Sequence, residues 1–245
     1  MARKSDFCFS YIYFHKLTCK IVAMNKPFKA FIFDLNGTMI DDMAFHVKAW
    51  YHLLNDELGA ALSEEQVKVQ MYGKNSEVMD RIFGKGHFSV EEADRLSLEK
   101  EKKYQAAYLP HLKLIEGLGD FLEAARQRHI PMAIGSAAIP FNIDFVLDNL
   151  HLRKYFSAIV SANDVEQSKP DPETYLKAAA LLQTAPQHCF VFEDAPKGVE
   201  AALNAGMQSI VLTTMHERDE FLQYPNVVQF IEKYSNTLIQ QLVKK

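Results

Sequence analysis

The sequence predicts an α/β protein: a parallel sheet with helices on both faces and an all-helical segment inserted after the first strand. Two patterns lead there. Beyond Pro110, short apolar runs of strand length alternate with helical stretches, as parallel strands joined by crossover helices do. Over residues 42–110 only helix signals occur. The chain has 245 residues, enough for one large domain or for a core with a smaller appended domain. Its 48% apolar and 24% charged residues suit a globular chain with a packed interior.

The first strand is read over residues 29–33, where Phe31-Ile32-Phe33 ends in Asp34 and the turn Leu35-Asn36-Gly37-Thr38. In the insert, Ala44, Phe45, Val47, Trp50, Tyr51, Leu54 and Leu58 recur at helical spacing. Ser63-Glu64-Glu65-Gln66 is a capping-box start, and Ser89-Val90-Glu91-Glu92 a second. The second launches a long charged helix through Lys103 to Tyr108. About 70 residues of helix without a strand predict a separate small bundle over 42–110. The remainder, 25–41 and 111–245, forms the core.

Along the core, a helix at 119–129 precedes a strand at 131–136. A helix at 141–150 and a strand at 157–160 follow. Next come a helix at 172–182, a strand at 189–194, a helix at 195–205 stopped by Gly206, and a strand at 209–212. A last strand at 226–231 is followed by a closing helix. Residues 1–24 are set apart as a leader or extension. Their aromatic run Phe7-Cys8-Phe9-Ser10-Tyr11-Ile12-Tyr13-Phe14 is cut off at once by His15, Lys16 and Lys20. The stretch reads either as a secretory signal or, with Met24 as the start, as a disordered extension or mis-assigned start.

Charge and cysteine usage limit the function classes. The formal net charge of −4 gives no attraction to nucleic acid or to an anionic membrane. No apolar run approaches the ~18 residues that would read as a membrane span. Cys8, Cys19 and Cys189 share no metal-type spacing, and an odd, small number argues against a disulfide scaffold. They fit a reducing, cytoplasmic setting. The expected assembly is a monomer or weak homo-oligomer.

Ligands of parallel α/β sheets bind at the carboxyl ends of the strands. Four strands end in polar groups: Asp34, Ser136, Ser161 and the pair Glu193-Asp194. Asp34 is the candidate nucleophile, since a carboxylate can attack phosphorus and split one hard transfer into two easier ones. Both partners are anions, so the attack needs charge relief, which Mg2+ supplies by bridging carboxylate and phosphate oxygens. Asp34 and Asp194 supply two carboxylates, and Glu193 is placed to hold a metal-bound water. Lys169, in Ser168-Lys169-Pro170-Asp171-Pro172, is a candidate to pair with Asp34 and the phosphate. Thr38, Ser136 and the N–H groups around Ser136 and Ala137 are candidate ligands of the phosphoryl oxygens.

In this order and on these elements, the pieces resemble the haloacid-dehalogenase-like superfamily of phosphotransferases. The segments are Asp34-Leu35-Asn36-Gly37-Thr38, Ser136, Lys169 and Glu193-Asp194, and the likeness runs from Lys29 to the C-terminus. It is most similar to the β-phosphoglucomutase and phosphoglycolate-phosphatase branch, through Phe45-His46-Val47-Lys48-Ala49-Trp50 among others. The resemblance implies a Rossmann-like core and a small α-helical cap. It implies Asp34 as nucleophile and metal ligand, a metal-ligating carbonyl at Asn36, Asp194 with Glu193 at Mg2+, and a phosphoryl group held by Thr38, Ser136 and Lys169. It places His46 at the junction of core and cap, and Lys74 and Asn75 in the cap's substrate loop.

The chain departs from the family pattern at Asn36, where the family carries a second aspartate that exchanges protons with leaving group and water. An amide does not exchange a proton at neutral pH, and general acid–base catalysis is typically worth ~10²–10⁴ in rate. Three readings stay open: His46 or another cap residue substitutes, the protein is a slow phosphatase, or it binds a phosphate ester without turning it over. The cap loop Met71-Tyr72-Gly73-Lys74-Asn75-Ser76 also departs, with Tyr72 and Ser76 where the β-phosphoglucomutases carry lysine and arginine. That removes the clamp for a second phosphate and weighs against a mutase.

Overall fold

The computed structural model describes residues 28–244, so the expected leader at 1–24 lies outside the described residues. The core is a six-stranded sheet: β1 Ala30–Phe33, β2 Met132–Gly135, β3 Ala158–Val160, β4 Cys189–Glu193, β5 Gln208–Leu212 and β6 Val227–Ile231. The strand order is β3-β2-β1-β4-β5-β6 and every pairing is parallel. All six strands fall where the apolar runs predict them, to within two residues at either end. The central strand β1 is the one that carries Asp34 at its end, which puts that carboxylate in the middle of the sheet's C-terminal edge.

Strand alternation sorts the core into two layers. Phe31 and Phe33 of β1 point to one face, beneath helices Leu118–Gln127 and Pro140–Asn149. Ala30 and Ile32 point to the other, beneath Glu173–Leu181 and Pro196–Asn204. The first face is aromatic. Phe33 stacks on Phe192 at 4.6 Å and 6°, and Phe121 closes the group between Phe31, Phe33, Phe192 and Tyr234. The second is built on small residues, Ala178, Ala179, Ala201 and Ala202 among them. The closing helix is a single turn, Thr237–Gln240.

The insert between β1 and β2 contains four helices, here α1 Met43–Tyr51, α2 Glu64–Gln70, α3 Asn75–Phe83 and α4 Val90–Tyr108. Trp50, Leu53, Leu54, Val67, Val78, Met79 and Leu96 form its own apolar core. The Ser63–Gln66 capping box is present in both directions, whereas at Ser89 the hydroxyl accepts from the Glu92 N–H. The first helix departs from its expected face. His46 is buried while Ala44 is exposed, and α1 widens into a π turn over His52–Glu57. The extra residue in that turn brings Leu53 and Leu54 inward together. Ala49, Tyr104 and Tyr108 join the aromatic core of the sheet, so the base of the insert is packed into the main layer. The two chain connections also pair: Ile40 bridges Leu114, and the Ile115 N–H donates to the Met39 carbonyl at 2.9 Å.

Phe121 is fully buried and lies away from the strand ends. Phe121→Ala should lower stability by about 3–5 kcal/mol in urea unfolding, with Phe121→Leu losing much less.

Candidate active site

Asp34 is held at the end of β1 by its own backbone, whose N–H donates to the Phe192 carbonyl of β4 at 2.9 Å. The chain then turns back on itself, with the Met39 N–H on the Leu35 carbonyl at 2.8 Å. Gly37 sits inside the turn at φ +70°, and a Cβ there would lie 2.1 Å from Asp194 Oδ2. Only glycine lets the turn after β1 close onto the carboxylate after β4.

Three buried carboxylates meet one ammonium here. Lys169 Nζ donates to Asp34 Oδ1 at 2.6 Å and to Glu193 Oε1 at 2.7 Å. The Tyr175 hydroxyl donates to the same Glu193 oxygen at 2.8 Å, and the Asp194 and Ala195 N–H groups donate to Glu193 Oε2, each at 2.8 Å. Gly198 makes room for this carboxylate, since a Cβ there would stand 1.7 Å from Glu193 Oε1. Glu193 therefore accepts four hydrogen bonds, two on each oxygen. Expected beside the metal ion and its water, Glu193 here fastens Lys169 and the Asp194 backbone.

Burial pushes the Asp34 carboxyl up from its ordinary 3.8 to about 7, against the pull of Lys169 and with the push of Glu193. Burial also raises Asp194 well above its ordinary value, with Glu193 and Asp34 adding to the effect. Burial alone would lower the Lys169 ammonium, but Asp34 and Glu193 outweigh it and raise it. Asp34 and Asp194 are thus two buried oxygen donors with less positive charge around them than their ionised forms require. That donor set suits a hard cation such as Mg2+, which takes one or two carboxylates and keeps several waters. No group of three or more His, Cys, Asp or Glu side chains is placed to hold a metal among the described residues.

Asp34, Asn36, His46, Asn75, Ser136, Ala137, Lys169, Glu193 and Asp194 all line one cavity of about 150 Å3 between the strand ends and the insert. Three expected contacts do not. Thr38 is fully buried, and its hydroxyl donates to Asp194 Oδ1 at 3.1 Å, so it orients a carboxylate instead of a phosphoryl group. Lys74 turns away from the cavity, and its ammonium donates to the Val165 and Glu166 carbonyls at 2.6 and 3.3 Å, tying the insert to the core. Ser161 caps the short turn Ala162–Asp164.

A second polar cluster, largely absent from the sequence reading, forms the roof. Lys100 and Glu101 are both buried and bond to each other at 2.6 Å. The Asn75 and Asn142 amides donate to Glu101 at 2.8 and 2.7 Å. Burial alone would raise the Glu101 carboxyl, but Lys100, His46 and these bonds overcome it and bring it down to about 2. Burial lowers the Lys100 ammonium, against the pull of Glu101. Lys100 lies 3.3 Å from His46 Nδ1 and 4.6 Å from the centre of the Trp50 ring. His46 stacks on Tyr104 at 3.7 Å, and its Nε2 lies 3.1 Å from the Asn36 amide nitrogen. That nitrogen is also 2.5 Å from Asp42 Oδ2.

Residues 31–212 match the haloacid dehalogenase-like hydrolases. The chain belongs to this family. Among curated relatives, this hydrolase is 32% identical to a fructose-1-phosphate phosphatase of Escherichia coli K12 over 76% of its own length and 97% of the relative. It is 30% identical to a β-phosphoglucomutase of Bacillus subtilis over 74% and 82% of the two chains. Its fold matches the crystal structure of a family IA, variant 3 hydrolase from Entamoeba histolytica with a TM-score of 0.76 and 29% identity. That match covers 89% of this chain and all of the other. The expected membership and the α/β architecture are thereby confirmed.

The raised carboxyls set a pH dependence for this hydrolase. With Asp34 at about 7 in the fold and 3.8 outside it, the folded protein holds an extra proton between those values. In metal-free protein the stability contributed by that proton is present below pH ~4 and is lost as pH rises through ~7. A divalent ion held by Asp34 would compete with the same proton. The rise in Tm on adding Mg2+ over an EDTA control should therefore be larger at pH 8 than at pH 5, and Asp34→Asn should flatten the difference in differential scanning fluorimetry.

Proposed function

We propose that this hydrolase is a Mg2+-dependent phosphatase of a small phosphorylated metabolite, such as a sugar phosphate, working through an aspartyl-phosphate on Asp34. One observation carries the reading: a buried carboxylate at the end of the central strand shares Lys169 with Glu193, faces Asp194, and opens onto a cavity roofed by the insert. The sugar-phosphate phosphatase and β-phosphoglucomutase names among its relatives support the substrate class.

Asp34 and Asp194 would hold the ion, which supplies charge neutralisation between carboxylate and phosphate. Lys169 stays charged between Asp34 and Glu193 and adds a fixed cation where the phosphoryl group arrives. Asp34 attacks phosphorus, and the ester oxygen leaves with the remainder of the metabolite. Ser136 and the backbone around Ala137 line the opposite wall and offer donors to the phosphoryl oxygens. A cavity of about 150 Å3 is below the ~300–1,000 Å3 of ordinary small-molecule sites, and movement of the roof would enlarge it for a bound metabolite.

Asn36 favours a second reading, in which phosphate esters bind but turn over slowly or not at all. Tyr72 and Ser76 weigh against a mutase, because neither supplies the cation that a second phosphate needs. The test is hydrolysis of p-nitrophenyl phosphate with and without Mg2+, beside Asp34→Asn. The expected result is Mg2+-dependent release that the variant lacks, with a transient mass gain of one phosphoryl group on Asp34. Thermal stabilisation by phosphate esters with no product and no labelled Asp34 would favour the second reading.

A further inference from the structure

The Asn36 side chain faces Asp42. Its terminal atom lies 2.5 Å from Asp42 Oδ2. The atom facing Asp42 is assigned as the amide nitrogen, which donates to the carboxylate. The same nitrogen lies 3.1 Å from His46 Nε2, a contact whose direction is set by the imidazole tautomer. The amide oxygen has no partner among the described residues, and Asn36 lines the cavity beside Asp34.

Asp42 is fully buried and, among the described residues, has no lysine or arginine within salt-bridge distance. The nearby Lys100 is spent on Glu101. A carboxylate so placed is tolerable only if donors satisfy it. Two come from the turn after β1: the Asn36 amide on Oδ2 and the Gly37 N–H on Oδ1 at 3.1 Å. A third is the hydroxyl of Tyr104 from α4, also on Oδ2, and His46 Nε2 stands 3.4 Å away. Asp42 thus grips consecutive residues of the turn from one side and the insert from the other.

We propose that Asp42 is a positioning residue for Asn36: it draws the amide nitrogen out of the cavity, so that position 36 presents a fixed oxygen acceptor to the water that attacks the phosphorylated Asp34. The role rests on the proposed phosphatase reading. The Asn36 oxygen accepts a hydrogen bond from the water and orients it, as an uncharged amide does in GTP hydrolysis, without taking its proton. The water oxygen bonds to phosphorus while the bond from phosphorus to the Asp34 oxygen breaks and leaves the carboxylate. One water proton stays on the new oxygen and the other passes to a phosphoryl oxygen, giving dihydrogen phosphate.

The test is a cycle of Asp42→Asn, Asn36→Asp and the double exchange. It is read by Tm and by kcat and KM for p-nitrophenyl phosphate with Mg2+. Asn36→Asp sets two buried carboxylates against each other and should lower Tm without raising kcat. Asp42→Asn should lower Tm and reduce kcat by ~10–100-fold with KM changed less than twofold, as expected of a misplaced acceptor. The double exchange rebuilds the pair with donor and acceptor reversed. It should recover most of both Tm losses and exceed either single variant in kcat. Additive Tm losses would overturn the pairing. An unchanged kcat in Asp42→Asn, with an active wild type, would overturn the positioning role and leave the phosphatase reading intact. A wild type that neither releases product nor becomes phosphorylated on Asp34 would sink the phosphatase reading and the role resting on it, even with the Tm coupling present.

Discussion

The structure depends on a single shared ammonium. Lys169 stands between Asp34 and Glu193, and these with Asp194 bring three buried carboxylates to the ends of two neighbouring strands. Such a cluster repels itself in a low-dielectric interior unless charge and hydrogen bonds compensate it. Glu193 is compensated completely, by Lys169, Tyr175 and two backbone N–H groups. Asp34 and Asp194 are compensated in part. The difference separates a fully bonded carboxylate from two left available to a ligand, and the surrounding folds serve it: glycine at 37 and 198 for close approach, and a small-residue layer beneath Tyr175.

The roof repeats this arrangement on the insert. Lys100 and Glu101 form a buried pair anchored by Asn75 from its own helical bundle and Asn142 from the core. A charged pair in such a place rarely adds stability over an apolar one, but it does fix geometry. Here it braces His46, which stacks on Tyr104 and reaches the Asn36 amide. The carboxylate cluster and the roof are therefore joined through polar contacts with defined directions as well as through packed apolar surface.

The sheet and the floor of the site were legible in the sequence because both obey simple periodicities. Apolar runs of four or five residues mark the strands, and a polar residue after such a run marks the edge where ligands bind. Asp34, Ser136 and Asp194 follow from that rule together with their order, and Lys169 from its Pro-flanked loop and the family resemblance. The roof was not legible. In Glu99-Lys100-Glu101-Lys102-Lys103 the charges alternate without an apolar period, and nothing local says that Lys100 and Glu101 face inward while their neighbours face water. Asp42 and His46 did carry a signal, the i,i+4 spacing of an interacting pair. Thr38 and Lys74 were misplaced for a related reason. Sequence puts a side chain in the right turn, but only the fold decides whether it points at the ligand, at Asp194, or at a carbonyl across the domain boundary.

The Lys74 tie has a consequence of its own. Its ammonium is received by main-chain oxygens of Val165 and Glu166, so the contact is indifferent to which side chains stand there. Substitutions at 165 and 166 would leave the fastening in place. The tie between insert and core reads peptide geometry, so it can persist while the side chains around it drift.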